Sequence, residues 1–384
     1  MTNKSAHVLV LAVVGLVALG MVMLLSTSSF VTDRADAFYD VRRQVTWLAL
    51  GIGFCVLLAS VDYHWWGKTA WWWYGGACLL LILCFVPGIG MCINGSYRWI
   101  GGKAIGLPGL SLQPSEFAKL AVLFMLARWL TTHREHADTF LRGFLYPLLI
   151  AGVPIGLIAV EFDIGSAALV TAMAVLVVFI AGAKIRYVGA AALMGMGGIA
   201  SAILLIPNRM ERFLAFLNLE AHKTGLGLQQ FRAQLAMGEG GVFGLGIGEG
   251  REKMMHMPYA HTDFIFPMIG EELGLIGSLV VVFTFVVIVV FGMLISMQAP
   301  DRFGKLLGFG VVALICLQAA LNIGVTTAVL PNKGLPLPFV SYGGSNLLFC
   351  LMGIGLLLNI YRQGNEPAAE PFPRILKQKL TPRV

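Results

Sequence analysis

The sequence has few charged residues. Only 12% of its 384 residues are Asp, Glu, Lys or Arg, whereas 58% are hydrophobic. Because soluble domains carry about 25% charged residues, this composition excludes an ordinary soluble protein. Apolar stretches recur along the whole chain, and no segment between them is long enough to build a large core of its own. The composition therefore predicts an all-α polytopic membrane protein.

Several local signatures are also missing. The six cysteines are scattered, and neither a metal-ligand spacing nor an even set of loop cysteines is present. The glycine-rich stretch 238–250 lacks the Gly-Lys-Ser/Thr ending of a P-loop, so nucleotide binding is not predicted. No small-x-small cleavage site follows the first apolar stretch, so we interpret that stretch as a retained helix.

Apolar stretches are the main feature that is present. A helix needs about 20 apolar residues to cross a bilayer, and some of the stretches fall short of that length. A long loop, 207–262, lies between the seventh and eighth stretches. We expect a transmembrane domain over 1–363 and a disordered basic tail over 364–384. The ten predicted spans are 8–25, 45–61, 72–86, 115–130, 145–159, 167–181, 188–206, 264–294, 306–329 and 346–360.

The distribution of Lys and Arg gives an orientation. The numbers of Lys and Arg on the two sides of the membrane are nearly equal when all loops are counted. Without the long loop, the side that carries the termini has more Lys and Arg. The positive-inside rule then predicts that both termini are cytoplasmic. The cations left outside favour an anionic ligand such as phosphate, although solvation or lipid headgroups explain them equally well.

The stretch 257–277 turns from polar to apolar at one acid. A long apolar helix is predicted directly after His261, Thr262 and Asp263. An acid at the start of a membrane helix is costly to desolvate, which indicates a functional role for Asp263. Thr262 and Asp263 are also good helix caps, so the residues alone leave both readings open. Glu271 and Glu272 lie about 12 Å deeper along that helix, and we interpret them as packing or ion-pair partners.

Charged residues also surround the fourth predicted span. Arg98 and Trp99 precede it, and Trp99 on its own is typical of a membrane-interface anchor. Gln113 opens a helix start with Pro and Ser. Glu116 and Lys119, three residues apart, lie on one helix face within the membrane, where they either pair with each other or serve chemistry.

Three further segments carry polar groups. Glu161 and Asp163 lie in a short turn between two predicted spans. The sequence leaves three roles open for them: binding a cation, pairing with a cationic residue, or, for Asp163, capping the next helix. The segment 228–237 is typical of an amphipathic interfacial helix that offers Gln234 to a ligand. The segment 330–346 is too apolar for a free loop and too proline-rich for a helix. It is predicted to pack inside the protein and to point Lys333, Ser341 and Tyr342 into a cavity.

Together these pieces resemble the SEDS family of bacterial shape, elongation, division and sporulation proteins. The residues Asn332-Lys-Gly resemble the FtsW and SpoVE branch of the family more than RodA-type proteins. The matching pieces are Arg98-Trp99, Gln113-Pro-Ser-Glu-Phe-Ala-Lys119, Asp163-Ile-Gly, Ala260-His-Thr-Asp-Phe-Ile-Phe266, Gly270-Glu-Glu-Leu-Gly274, Pro331-Asn-Lys-Gly and Ser341-Tyr-Gly-Gly-Ser345.

The resemblance implies a peptidoglycan glycosyltransferase that polymerises lipid II into β-1,4-linked strands with inversion. Asp263 is the candidate general base, and Arg98, Lys119, Arg212 and Lys333 are candidates to hold the leaving pyrophosphate. A divalent cation, Mg²⁺ or Mn²⁺, is an option that no motif identifies. The full set expected to bind substrate is Arg98, Trp99, Gln113, Glu116, Lys119, Asp163, Arg212, Gln234, His261, Thr262, Lys333, Ser341 and Tyr342.

The resemblance also implies a class B penicillin-binding protein as transpeptidase partner, other division or elongation proteins, and a place in the bacterial cytoplasmic membrane. Two other functions are considered. A lipid II flippase would distribute polar positions along the full membrane path, whereas here they concentrate on one side. A non-catalytic scaffold for a transpeptidase would tolerate replacement of Asp263.

Overall fold

The computed structural model describes residues 4–28, 38–93, 96–101, 111–205, 207–252 and 262–365, and it is mostly helical. Six helices in these ranges are long and apolar enough to cross a bilayer: 5–28, 39–60, 140–160, 265–297, 302–326 and 344–365. Shorter apolar helices accompany them at Ala70–Leu83, Ile164–Ile180 and Ile185–Gly195. The chain is therefore a multi-pass helical membrane protein, as the composition predicted.

The helices follow the apolar stretches closely. The ten predicted spans fall on α1, α2, α4 to α8 and α11 to α13, and the number that cross the bilayer stays a prediction. Residues 366–384, most of the predicted tail, lie outside the described residues. The bounds are α1 Ser5–Ser28, α2 Tyr39–Ser60, α3 Tyr63–Lys68, α4 Ala70–Leu83, α5 Pro114–Thr132, α6 Tyr146–Val160, α7 Ile164–Ile180, α8 Ile185–Leu205, α9 Pro207–Leu217, α10 Leu228–Gly240, α11 Ile265–Met297, α12 Arg302–Thr326 and α13 Gly344–Asn365.

Three helix starts have clear local causes. Gln113 has extended backbone and is followed by Pro114, whose fixed φ suits the first helical position of α5. Asp163 caps α7 by accepting the backbone N–H of Ser166. Asp301 caps α12 in the same way. The sequence predicted the first of these starts, and it offered the cap as one of several readings of Asp163.

The core lies around α5, which is buried along almost its whole length. It packs against α4, α6, α7, α12 and α13, while α2 lies along α13 and α1 along α11. The outward faces carry large apolar side chains instead of polar ones. Phe283 on α11, for example, is 67% exposed. Such a surface is stable in lipid and not in water.

A small sheet covers one end of the bundle and was not predicted. It consists of β1 Gly90–Ile93, β2 Ser96–Gly101 and β3 Ser111–Leu112, antiparallel in that order. Met91 pairs with Trp99, and Ile100 pairs with Leu112 at the start of α5. The sheet fixes β2, and therefore Arg98, against the beginning of α5.

The glycine-rich stretch packs into a break in α11. Gly274 has φ 69° inside the helix, and a β-carbon there would overlap the backbone of Val242 and Gly244. The backbone N–H groups of Leu245 and Gly246 donate to the carbonyls of Glu271 and Glu272, at 2.9 and 3.0 Å. The stretch therefore belongs to the helix packing.

The side chains of Glu271 and Glu272 also bind this stretch. Glu271 accepts the backbone N–H groups of Arg251 and Glu252, and Glu272 accepts that of Gly248 at 3.0 Å. Glu272 accepts a further hydrogen bond from the hydroxyl of Ser26 at 2.6 Å. These two acids therefore hold the loop and α1 to α11, a role that the sequence did not specify.

Candidate functional site

Asp263 lies in the turn directly before α11 and is half-buried. Its backbone carbonyl accepts a hydrogen bond from the Asn322 amide at 2.8 Å. Its carboxylate lies against the backbone of Gly334, close enough that a β-carbon there would collide with Oδ2. Burial and, less strongly, the negative charge of Asp163 raise the pKa of Asp263, Arg98 lowers it, and together they bring it to about 6. A carboxylate of this kind is well suited to accept a proton near neutral pH.

Asp163 is the second acid of the site and is fixed by several donors. It is 5% exposed. Its carboxylate accepts the N–H of Ser166 at 3.2 Å, the amide of Gln113 at 3.2 Å and the hydroxyl of Ser115 at 3.4 Å. Asp163 therefore links the starts of α5 and α7, and its charge acts on Asp263 from a fixed position.

Arg98 brings a positive charge to the same end of the bundle. Its Nε donates to the carbonyl of Glu161 at 3.1 Å, and its Nη2 donates to that of Phe162 at 2.7 Å. Phe162 has φ 62°, the left-handed region that costs a non-glycine residue energy. No ion pair to Arg98 occurs within the described residues. The guanidinium is thus oriented by backbone carbonyls while its charge is available to an anion.

The segment 331–343 lies beside Asp263 and forms no helix; its residues are buried or half-buried except Gly334, which is exposed. The Asn322 amide donates to the carbonyl of Leu335 at 2.6 Å, and Gln318 donates to that of Pro336 at 2.9 Å. Ser341 accepts the N–H of Leu337 at 2.8 Å. The side chains of Lys333 and Tyr342 are half-buried in this segment. The irregular backbone is thus packed inside protein, as the sequence predicted.

Glu116 and Lys119 form a buried ion pair with each other. The ammonium of Lys119 donates to Glu116 Oε1 at 2.7 Å and to Gln318 Oε1 at 2.9 Å. Asn346 donates to the other oxygen of Glu116 at 3.1 Å. Both charged side chains are at most 5% exposed. This pairing is the structural one of the two readings that the sequence left open, and a role of Lys119 at the pyrophosphate stays a prediction.

The family is decided by comparison with known proteins. A family model described as cell cycle protein, for FtsW, RodA and SpoVE, matches residues 6–366. The chain belongs to the FtsW/RodA/SpoVE family. This confirms the resemblance found in the sequence motifs.

Relatives and solved structures agree with this assignment to the FtsW/RodA/SpoVE family. The probable peptidoglycan glycosyltransferase FtsW of Geobacter metallireducens is 38% identical over 92% of this chain and 93% of its own length. Stage V sporulation protein E of Bacillus subtilis is 35% identical over 94% of this chain and 98% of its own length.

Two solved structures share the fold. One is a chain from a peptidoglycan synthase complex that coordinates polymerization and crosslinking; it has a TM-score of 0.77 and 29% identity, over 94% of this chain and 98% of its own. The rod shape determining protein RodA of Thermus thermophilus has a TM-score of 0.67 and 28% identity, over 94% of this chain and 97% of its own.

The other predicted site residues of this FtsW/RodA/SpoVE protein are placed as follows. Thr262 is half-buried beside Asp263, and Trp99 is half-buried in β2 next to Arg98. Arg212 on α9 and Gln234 on α10 are exposed, and no described contact joins them to the Asp263 end. His261 lies outside the described residues. The α10 helix, predicted to lie at the interface, packs against α11 and α12.

Two amide side chains on α12 that position the site were not predicted from the sequence. Gln318 and Asn322 are four residues apart on this apolar helix, and their side chains hold segment 331–343 and the backbone of Asp263. A stripe of amides within a membrane span is itself a signal, since polar groups there are costly and need partners. The structure shows what those partners are.

Proposed function

We propose that this chain is a peptidoglycan glycosyltransferase that polymerises lipid II at the outer face of the bacterial cytoplasmic membrane. The observation that carries the proposal is the placement of Asp263, with its raised pKa, beside the fixed charges of Arg98 and Asp163. Relatives that are 35–40% identical over most of the chain bear the name of this activity or of its family. The substrate is then the undecaprenyl-pyrophosphate-linked disaccharide pentapeptide.

The chemistry needs a base and a group that holds the leaving pyrophosphate. The carboxylate of Asp263 takes the proton of the acceptor hydroxyl, whose oxygen attacks the anomeric carbon of the α-linked donor from the opposite side. The bond from that carbon to the pyrophosphate breaks, which gives a β-1,4 linkage. Arg98, oriented by the carbonyls of Glu161 and Phe162, stabilises the leaving pyrophosphate, and Lys333 is a second candidate for this role.

A divalent cation is compatible with these residues but needs the substrate. No cluster of three or more metal-ligating side chains occurs in the described part of the chain. Mg²⁺ or Mn²⁺ bound through one or two carboxylates and phosphate oxygens fits the donors present, with Asp163 and Asp263 as the protein ligands. Such an ion would supply positive charge to the pyrophosphate. We propose it only as an addition to the roles of Asp263 and Arg98.

We further propose a class B penicillin-binding protein as partner and a role in cell division or elongation, with both termini cytoplasmic. The solved complex with similar fold, which couples polymerization and crosslinking, supports a transpeptidase partner.

The flippase alternative has less support. The cavity next to Glu116 and Lys119 has a volume of about 30 Å³, and a larger cavity of about 500 Å³ between α1 and α13 is lined mostly by apolar side chains. A translocation route for a disaccharide headgroup would need far more polar space at this depth.

The test is polymerisation of labelled lipid II by the purified protein with its transpeptidase partner. The Asp263→Asn variant keeps the size of the side chain but removes the base, so we expect glycan ladders to weaken by about 10²- to 10⁴-fold. Asp138→Asn is the matched control, because this exposed aspartate pairs with Lys184 far along the chain from the site. Equal ladders from wild type and Asp263→Asn would remove Asp263 as the base. If none of these proteins makes glycan ladders and the wild type moves lipid II across vesicle membranes, the flippase function would be favoured.

A further inference from the structure

Gln230 on α10 is a buried amide that the proposed mechanism does not use. Its side chain is 1% exposed. The Nε2 atom donates to the backbone carbonyl of Val325 in the last turn of α12 and to that of Leu330, both at 2.8 Å. A buried amide with two such bonds is costly to remove, because both carbonyls then lose a donor away from water. Gln230 therefore fixes the backbone at the end of α12.

The backbone between these two carbonyls forms a strained turn. Ala328 has φ 56°, in the left-handed region that is unfavourable for alanine. The N–H groups of Val329 and Leu330 both donate to the carbonyl of Gly324 at 2.8 Å. A strained backbone of this kind persists only where its surroundings hold it in place, and the Gln230 amide bonds it on both sides of Ala328. The amide thus sets the direction in which the chain leaves α12.

The turn leads directly into the candidate site. The Nδ2 atom of Asn332 donates to Gln229 Oε1 at 2.9 Å, so a second side chain of α10 holds the chain here. Lys333 is the next residue, and Gly334 after it lies against the carboxylate of Asp263. The neighbouring glutamines of α10 therefore hold the backbone immediately before Lys333.

The helix α10 is itself fixed to α11, which begins directly after Asp263. A β-carbon on Gly240 would overlap the backbone carbonyl of Gly270, so the end of α10 lies directly on α11. The side chain of Met237, one turn earlier, also lies close to Gly270. The helix α10 therefore connects the helix that follows the base with the segment that carries Lys333.

We propose that Gln230 is a positioning residue that holds Lys333 where its ammonium contacts the pyrophosphate of the substrate. The inference rests on the proposed function, in which Lys333 is a candidate for that pyrophosphate and Asp263 is the base. The cation and the base act on one substrate at the same time, so their separation must be fixed. Gln230 touches no substrate and acts only through the backbone that carries Lys333.

The test is a double-mutant cycle on the binding of undecaprenyl pyrophosphate to the full chain in detergent. Lys333→Gln removes the cation, and we expect the Kd to rise about tenfold, as for the loss of one hydrogen bond to a charged group. Gln230→Leu misplaces the cation and should raise the Kd about fivefold. The double variant should bind as Lys333→Gln does, because a cation that is absent cannot also be misplaced. Independent effects would instead multiply to about 50-fold.

Two further variants separate positioning from a loss of stability. Gln230→Met also lacks the amide and should behave as Gln230→Leu does, which protects the result if one of them folds poorly. Gln363→Leu is the matched control. It removes an amide that likewise makes two hydrogen bonds, to Asp62 at 2.9 Å and to Asn359 at 2.7 Å, at the end of α13 remote from segment 331–343. It should keep the wild-type Kd whatever it costs in thermal stability.

The outcomes separate this inference from the proposed function. If wild type makes glycan ladders while Gln230→Leu binds undecaprenyl pyrophosphate as wild type does, Gln230 has no such role and the glycosyltransferase proposal stands. Independent effects in the double variant, or an unchanged Kd in Lys333→Gln, would also overturn the role of Gln230 and leave Arg98 as the proposed ligand of the pyrophosphate. If wild type neither makes ladders nor binds undecaprenyl pyrophosphate, both proposals are overturned.

Discussion

At the scale of single residues, the site depends on two charges that act on Asp263 in opposite directions. Burial and the charge of Asp163 disfavour ionisation of Asp263, Arg98 favours it, and the three together bring the pKa of Asp263 to about 6. At pH 7 about nine-tenths of Asp263 is then ionised and able to accept a proton. A free aspartate would be a much weaker base, since its pKa is about 4. The environment therefore supplies basicity without the cost of a fully buried charge.

This balance predicts the pH dependence of polymerisation. Below about pH 6 the rate should fall about tenfold per pH unit as Asp263 is protonated. Asp163→Asn removes the negative charge that raises the pKa of Asp263, so the acidic limb should move to lower pH, whatever happens to the maximal rate. Asparagine still caps a helix, so α7 is expected to persist. The measurement is kcat/KM for lipid II between pH 5 and pH 8.

The control for this profile is Asp138→Asn. Asp138 is exposed and pairs with Lys184 at 3.1 Å, beyond the opposite end of α6 from Glu161. Its acidic limb should coincide with that of wild type. A limb that stays in place or moves to higher pH in Asp163→Asn would show that Asp163 does not tune the base.

At the scale of elements, segment 331–343 explains how an irregular backbone becomes part of a site. It forms no helix, and its backbone hydrogen bonds from Val340 and Ser341 reach only the carbonyl of Leu337. Amide side chains of α12 satisfy the carbonyls of Leu335 and Pro336 instead. The same amide of Asn322 also holds the carbonyl of Asp263. The base and the segment are therefore positioned by one side chain, and the close approach of Asp263 to this segment requires Gly334.

Gly334→Ala tests that close approach. The new β-carbon would overlap Asp263 Oδ2, so the carboxylate must move out of its position. We expect polymerisation to fall about 100-fold with little change in thermal stability, because small misplacements of a catalytic group are costly. Gly343→Ala is the matched control, since its β-carbon would meet its neighbours at 3.6 and 3.9 Å, an ordinary contact. Comparable losses in both variants would mean that the segment tolerates no alanine and that Asp263 is not specifically affected.

Much of the fold follows from the sequence, because bilayer length and helix capping are local rules. The apolar stretches coincide with helices, and Gln113-Pro114 marks a helix start that the structure shows. The sheet from Gly90 to Leu112 does not follow, since its strands are short and held by docking on α5. The packing of the glycine-rich stretch against Glu271 and Glu272 could not be predicted from the sequence either, because it depends on contacts between residues about 20 positions apart.

The candidate site shows the same division. Asp263, Asp163 and Arg98 were recognised as charged residues next to apolar stretches, and the resemblance to the SEDS family implied their places in the site. The effect of Asp163 and Arg98 on the pKa of Asp263 depends on how α5, α7 and α12 pack. The pairing of Lys119 with Glu116 and Gln318 depends on the same packing. Polar residues can thus be recognised in the sequence, whereas their partners are set by the tertiary structure.

At the scale of the whole molecule, the helix starts of α5, α7 and α11 meet at one end. The first turns of helices carry partial positive charge, and Arg98 adds a full charge there. This end therefore attracts an anionic headgroup. The excess of Lys and Arg on the side of the termini predicts that the opposite, Asp263-bearing end faces outward.

Cysteine labelling in intact cells tests this orientation. Cys92 in β1 is exposed and pairs with Tyr97, one residue from Arg98, whereas the other five cysteines are buried or half-buried. A membrane-impermeant maleimide should therefore label wild type but not Cys92→Ser from the outer side. Asp138→Cys in the Cys92→Ser background is the control for the other side and should react only after permeabilisation. The reverse pattern would place Asp263 on the cytoplasmic side, where the proposed outer-face polymerisation does not occur, and would overturn that part of the proposal.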